Sequence, residues 1–106
     1  MFIQVAWGRL KAGAYGQFER HYRERLVPLT RTMKGFRERQ LWRGAADAEE
    51  VISWSVWDSL ADLRTYETSG TRRELAQEAE QYYQPWAYPR GEFWVKHFEV
   101  VYTDRC

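Results

Sequence analysis

Side chains able to hold and turn over a small molecule gather in one stretch of this chain, residues 51–66. Ile52, Trp54 and Val56 alternate there with Ser53, Ser55 and Trp57, so a pleated strand would send the two serines and Trp57 to one face. After Asp58 the period becomes that of a helix. Ser59 can cap it, Asp62 stands where a capping-box acid would lie, and Leu63 and Tyr66 follow at helical spacing. The strand is expected to deliver Trp57 to the mouth of a space between sheet and helix, and the helix to return over that space with Leu63 and Tyr66. Two hydroxyls, an indole N–H and a phenol would give such a pocket its polar tips. His21, at the border of an earlier apolar helix stripe, can reach the same space as a base or stand as a partly exposed structural residue. The plain alternative is that Trp57 is a core ring and the serines fill a tight layer.

Other chemistries lack their residues. There is no glycine-rich phosphate loop, no pair of histidines at metal spacing and no nucleophile elbow, so no metal site is expected. Net charge is +1 from 16 basic and 15 acidic residues, interleaved throughout, which leaves no footprint for nucleic acid or an anionic membrane surface. No window approaches the roughly 20 apolar residues of a bilayer span. The one cysteine, Cys106, excludes a disulfide framework and suits a reducing cytoplasm. A length of 106 residues fits one domain, 1–106, with a core of its own. Aromatic content is high at 17%, with 6 Trp and 7 Tyr, and rings in such numbers line pockets and subunit interfaces as well as cores.

The elements that must position these residues can be read in order. Residues 2–10 form a first strand, with Ile3, Val5 and Trp7 opposite Phe2, Gln4, Ala6 and Gly8; the glycine marks a bulge, or else a close approach to the backbone. Tyr15, Phe18, Tyr22, Leu26, Leu29 and Met33 draw a helical stripe, interrupted near Val27 because Pro28 cannot donate to the Glu24 carbonyl. Gly35 ends that helix. A second strand, 36–43, sets Phe36, Glu38, Gln40 and Trp42 on one face and Arg37, Arg39, Leu41 and Arg43 on the other. The arginines can grip an anion by planar forks, although an edge strand kept soluble by charge is the favoured account. Residues 44–49 make a hairpin connection. Thr71 caps a further helix with Leu75, Ala76, Ala79 and Tyr82 or Tyr83 inward, and residues 85–91 form a loop that is either a lid or packing. The last strand, 92–102, is expected to be the longest. Large residues on both of its faces, with helices covering only one, call for a homodimer meeting sheet to sheet. The fold is therefore α+β, a ferredoxin-like β-α-β-β-α-β unit: an antiparallel four-stranded sheet with helices on one face.

This order of elements, Gly35-Phe36 opening the second strand, the run Ser55-Val56-Trp57-Asp58-Ser59 passing into a helix, and Phe98-Glu99-Val100-Val101 near the end together resemble the antibiotic biosynthesis monooxygenase family. The resemblance spans nearly the whole chain and implies a dimeric α+β barrel, each subunit keeping a pocket between its own sheet and helices. A haem-degrading branch would have an Asn, a Trp and an iron-ligating His at or near Gly8, Tyr66 and Ala76 or Gln77. None matches. A cofactor-free branch oxidises phenolic rings to quinones with an Asn and a terminal Trp on the third strand and a Tyr in the helix behind. Trp57 matches, Ser53 replaces the Asn and Leu63 the Tyr, with Tyr66 a turn away as a substitute. What the resemblance implies is oxidation of a small aromatic molecule by dioxygen without cofactor; together with the reading of the residues above, Trp57 and Tyr66 are expected to be catalytic and Ser53, Ser55, Leu63 and His21 to lie against the substrate. A ligand-binding dimer without turnover and a divergent haem binder are the alternatives.

Overall fold

The computed structural model describes residues 1–85 and 94–105. The chain runs β1 (Phe2–Arg9), α1 (Tyr15–His21), a π-helical turn (Tyr22–Leu26), α2 (Val27–Thr30), β2 (Phe36–Arg43), β3 (Glu50–Trp57), α3 (Leu60–Glu67), α4 (Gly70–Ala79), a 3-10 turn (Glu80–Tyr82) and β4 (Trp94–Glu99). All strand pairs are antiparallel and the sheet order is β2-β3-β1-β4, the ferredoxin-like arrangement, with the helices packed on one face. Most of the proposed residues 85–91 loop, together with Glu92 and Phe93, lies outside the described residues.

The alternation in β1 and β3 places their side chains as the pattern requires. Gln4 pairs with Ser55, Ala6 with Ser53 and Gly8 with Val51 on the inner face, while Ile3, Val5 and Trp7 meet Val56, Trp54 and Ile52 on the outer one. Strand β2 departs from strict alternation. A bulge between Phe36 and Glu38 inserts one residue, so Phe36 pairs with Trp57 and joins the inner face, its ring edge-on to the indole at 5.4 Å. Arg37, at the bulge, has no register partner on β3, and its side chain pairs with Asp58. Gly8 is no bulge: a Cβ there would lie 2.4 Å from the Tyr83 ring, so the glycine makes room for that ring. Among the described residues β4 spans Trp94–Glu99, and residues 100–105, expected to continue it, carry no strand.

Pro28 is accommodated by the π-turn. Val27 N–H reaches back five residues to the Tyr22 carbonyl, and α2 starts afresh at Val27 with Pro28 in its first turn, where no donor is missed. Helix α3 is capped as expected, Ser59 Oγ accepting from Asp62 N–H at 3.1 Å; α4 is capped by Ser69, accepting from Arg72 N–H at 3.1 Å, and not by Thr71. The core divides in two. Leu10, Phe18, Tyr22 and Val51 form one buried cluster, and Trp57, Leu63 and Tyr66 form another against Phe2, Met33, Phe36 and Leu60.

Two contacts hold the helical layer and yield predictions. Gly35 has φ +83°, and a Cβ there would fall 2.3 Å from Asp62 Oδ2. Gly35→Ala should therefore destabilise by about 2 kcal/mol or more, from left-handed backbone and steric overlap together, read from a denaturant midpoint; a change within about 0.5 kcal/mol would reject this account. On α4, Glu78 accepts from Arg25 Nη2 at 2.7 Å and Nε at 3.0 Å, and lies 2.8 Å from His21 Nε2. Arg25 first, then His21, hold its carboxyl at about 2 against an ordinary 4.5. A carboxyl lowered in the folded state adds stability that is complete above its unfolded value and lost as pH falls through the folded one. Wild-type melting temperature should thus drop more between pH 4.5 and 2 than that of Glu78→Gln. Parallel curves would show that the clamp adds nothing.

Candidate active site

The gap between the two core clusters is a cavity of about 80 Å³. Its floor is the inner face of three strands, where Gln4 and Ala6 of β1, Ser53 of β3 and Arg39 of β2 stand in place of large apolar side chains. Its walls come from the helices. Phe18 and His21 of α1 and Tyr22 and Leu26 of the π-turn stand on one side, with Tyr66 of α3 and Arg72, Leu75, Ala76 and Ala79 of α4 on the other. Tyr83, returning beside β1 through a bridge at Leu10, adds a further ring. A π-turn in the wall of a pocket is a common device, since the widened turn re-aims side chains that a regular helix would turn away.

The floor is organised by one directed chain of hydrogen bonds. Arg39 Nη1 donates to Ser53 Oγ at 2.8 Å, and the Ser53 hydroxyl lies 3.0 Å from the Tyr22 hydroxyl, which in turn donates to the Gln40 carbonyl at 3.0 Å. With the guanidinium as donor at one end and a carbonyl as acceptor at the other, every proton in the chain is assigned. Arg39 also lies over the rings of Tyr22, Phe36 and Tyr66 at 5.7, 5.9 and 5.9 Å. Its Nε and Nη2, however, are buried without a hydrogen-bond partner among the described residues. A buried donor left without an acceptor costs about 1–3 kcal/mol, so this arrangement is expensive unless something else completes it.

A second chain runs behind the cavity. Trp57 Nε1–H donates to Ser55 Oγ at 3.0 Å, and Ser55 makes a long 3.4 Å contact to Gln4 Oε1; Gln4 Nε2 donates to Glu67 Oε2 at 2.6 Å, which His97 Nε2 meets at 2.8 Å from the sheet edge. Gln4 is thereby fixed at both ends, with its amide orientation assigned by the network.

The side chains expected at the site separate into two groups. Tyr66, Ser53 and His21 line the cavity. Trp57, Ser55 and Leu63 do not: each is 0% exposed, and the indole stacks flat behind Tyr66 with ring centroids 4.9 Å apart. Trp57 is therefore behind the pocket and not at its mouth, because the strand ends beneath α3 and the bulged Phe36 closes over the indole. Burial pushes the Tyr66 phenol above its ordinary value, against the opposing charges of Arg39 and Arg72, so at neutral pH it is a hydrogen-bond donor. His21 has its Nε2 engaged by Glu78, and with that nitrogen donating, Nδ1 carries the lone pair.

Arg39 was the residue least visible beforehand. Of the three arginines on its strand, Arg37 pairs with Asp58, and Arg43 stacks 3.9 Å over Tyr15 and donates to the Ala48 carbonyl; only Arg39 turns into the cavity. The alternation set it on a face with Arg37, Leu41 and Arg43, and only the register with β3, Arg39 against Ser55, brings that face over the serines. Among the described residues, no three His, Cys, Asp or Glu side chains cluster as metal ligands, and no helix is long and apolar enough to cross a membrane.

Comparison with solved structures places the fold among known ones. The chain superposes on SnoaB, a cofactor-independent oxygenase from Streptomyces nogalater, with a TM-score of 0.78 at 14% identity over 96% of this chain and 94% of that one. A structure named as an antibiotic biosynthesis monooxygenase matches with a TM-score of 0.74 at 20% identity, over 95% and 99% of the two chains. Rv0793 from Mycobacterium tuberculosis matches at 0.73 and 14%, over 98% of each. At these identities the likeness shows a shared fold. A comparison with curated protein sequences gave no match. The family model described as antibiotic biosynthesis monooxygenase matches residues 1–78, which take in the sheet floor, α1, the π-turn and α3. The chain belongs to the antibiotic biosynthesis monooxygenase family.

Proposed function

We propose that this protein is a cofactor-independent monooxygenase that oxidises a small phenolic compound with dioxygen, working as a homodimer in a reducing compartment such as the cytoplasm. The observation that carries the reading is the cavity between sheet and helices, in which a protonated phenol (Tyr66), a fixed hydroxyl (Ser53) and a carboxylate-held imidazole (His21) line one small space. Family membership supports it, as does the fold shared with SnoaB.

The chemistry asks little of the protein. His21 Nδ1 takes the phenolic proton, and the Tyr66 O–H favours the anion left behind. The phenolate gives an electron to dioxygen, and the radical pair joins by a carbon–oxygen bond at a ring carbon. That carbon then loses its hydrogen as a proton, the O–O bond breaks, and one oxygen leaves as water while the other remains in a quinone. Phenol and O2 thus give quinone and H2O, a four-electron balance. Trp57 acts through Tyr66, whose ring it backs, and is a positioning residue. Ser55 and Leu63 hold that pair from behind.

Purified protein should consume oxygen with members of a panel of dihydroxyaromatics. Tyr66→Phe and His21→Gln should each lower kcat/KM by roughly tenfold or more, and Trp57→Phe by less, with the fold unchanged by circular dichroism. Full activity in both cavity variants would remove the site. Trp quenching by ligand with no oxygen uptake would instead favour a binding protein, and a new haem absorption band a haem binder.

The dimer rests on the outer sheet face. Ile3, Val5, Trp7, Ile52, Trp54, Val56 and Phe98 share it, with Trp7 stacked on Trp94 and Trp42 on Trp54; Phe98 is 52% and Trp42 40% exposed. A second copy meeting it face to face would cover these rings. Sedimentation at micromolar concentration should give twice the 12.8 kDa chain mass, and Trp54→Arg should shift it to one chain. A wild-type particle of one chain would end the dimer reading.

A further inference from the structure

Arg39 does more than anchor Ser53. Its Nη1 is fixed by Ser53 at 2.8 Å and touches the Tyr22 hydroxyl at 3.4 Å, so the guanidinium cannot turn freely. Among the described residues the opposite edge, Nε with Nη2, is buried and makes no hydrogen bond of good geometry, the Tyr66 phenol approaching the guanidinium only weakly, and no carboxylate lies within ion-pair distance of the side chain. Buried cations are ordinarily paired. The surroundings do not supply the counter-charge: no aspartate or glutamate is among the described residues lining the cavity, and Arg72 adds a second guanidinium to its wall. Three ring faces soften the charge without satisfying two N–H groups.

The shape of the unmet need names the ligand. The Nε and Nη2 hydrogens of a guanidinium point side by side, and that fork fits the two oxygens of a carboxylate; a phenolate offers one oxygen and would leave a donor idle. We infer that the molecule taken by this cavity is an aromatic carboxylate, its carboxyl group bound by the Nε–Nη2 edge of Arg39. The inference deepens the reading above and rests on the cavity being the place where substrate binds. It assigns Arg39 a role in choosing substrate, leaving the proton and oxygen chemistry to the ring end of the molecule.

The test compares 3,4-dihydroxybenzoate with its methyl ester, which keeps the ring and both hydroxyls and loses the anion. Titration calorimetry on the full-length protein at pH 7 should show the acid binding roughly ten- to a hundredfold more tightly. The preference should shrink in Arg39→Lys, which keeps a charge without the fork, and vanish in Arg39→Met, with circular dichroism confirming the fold. Equal or tighter binding of the ester to the wild type overturns the inference, whether or not either variant folds. So does a preference for the acid that survives Arg39→Met. Oxygen uptake measured on the same samples separates the two readings. Preference for the acid with no oxygen consumed keeps the carboxylate site and rejects the oxygenase, whereas equal turnover of acid and ester keeps the oxygenase and rejects the carboxylate site.

Discussion

The inner face of the two central strands cannot close into a solid core. At Gln4, Ala6, Ser53 and Ser55 the pattern of a half-buried strand holds, yet the residues are too small or too polar to fill the space under the helices. Large rings therefore collect at either end, around Phe18 and Tyr22 on one side and Trp57 and Tyr66 on the other. A void between packed clusters forfeits dispersion contacts that interiors normally make, so keeping it open sacrifices stability that the same backbone could have had. Everything at the site follows from that concession, because it is the gap that lets polar atoms on the floor face something other than protein.

Those polar atoms are held by two chains of hydrogen bonds that do not join. One fixes Arg39 through Ser53, Tyr22 and the Gln40 carbonyl; the other ties Trp57 to the sheet edge through Ser55, Gln4, Glu67 and His97. Both cross between strands, or between sheet and helix, so each spends side-chain polarity on rigidity. The second chain is complete in itself. The first ends in a guanidinium with one edge unmet, and that difference distinguishes a structural network from one open to a ligand.

Alternation and helical period carried most of the architecture. The order of elements, the faces of β1 and β3, the fresh start at Val27 and the Ser59 cap all follow from local chemistry written in neighbouring residues. What escaped depends on single-residue insertions and on rings arriving from far along the chain. The bulge at Phe36/Glu38 carries no glycine to announce it, so strict alternation puts Phe36 on the face of Glu38 and Gln40; at Gly8 the close approach is the reading that holds, and nothing nearby names Tyr83 as the ring that makes it. Trp57 and Tyr66 lie in one stretch, but which of the two stacked rings faces the void depends on how α3 and Phe36 pack over the strand end, which has no local signature. Arg39 shared its strand with two other arginines, and only the partners Asp58 and Tyr15, distant in sequence, remove those two from consideration.

The π-turn at Tyr22–Leu26 sets the phase of everything that follows it. One residue more or less in a helix rotates the later part by about 100°, so the extra residue lets Phe18 and Tyr22 face the first cluster while Thr30 is fully buried, and the turn after α2 brings Met33 to the second. The helical layer thus acts as a coupling with a fixed offset between two halves of a divided interior, and the hollow between them is where that offset is spent.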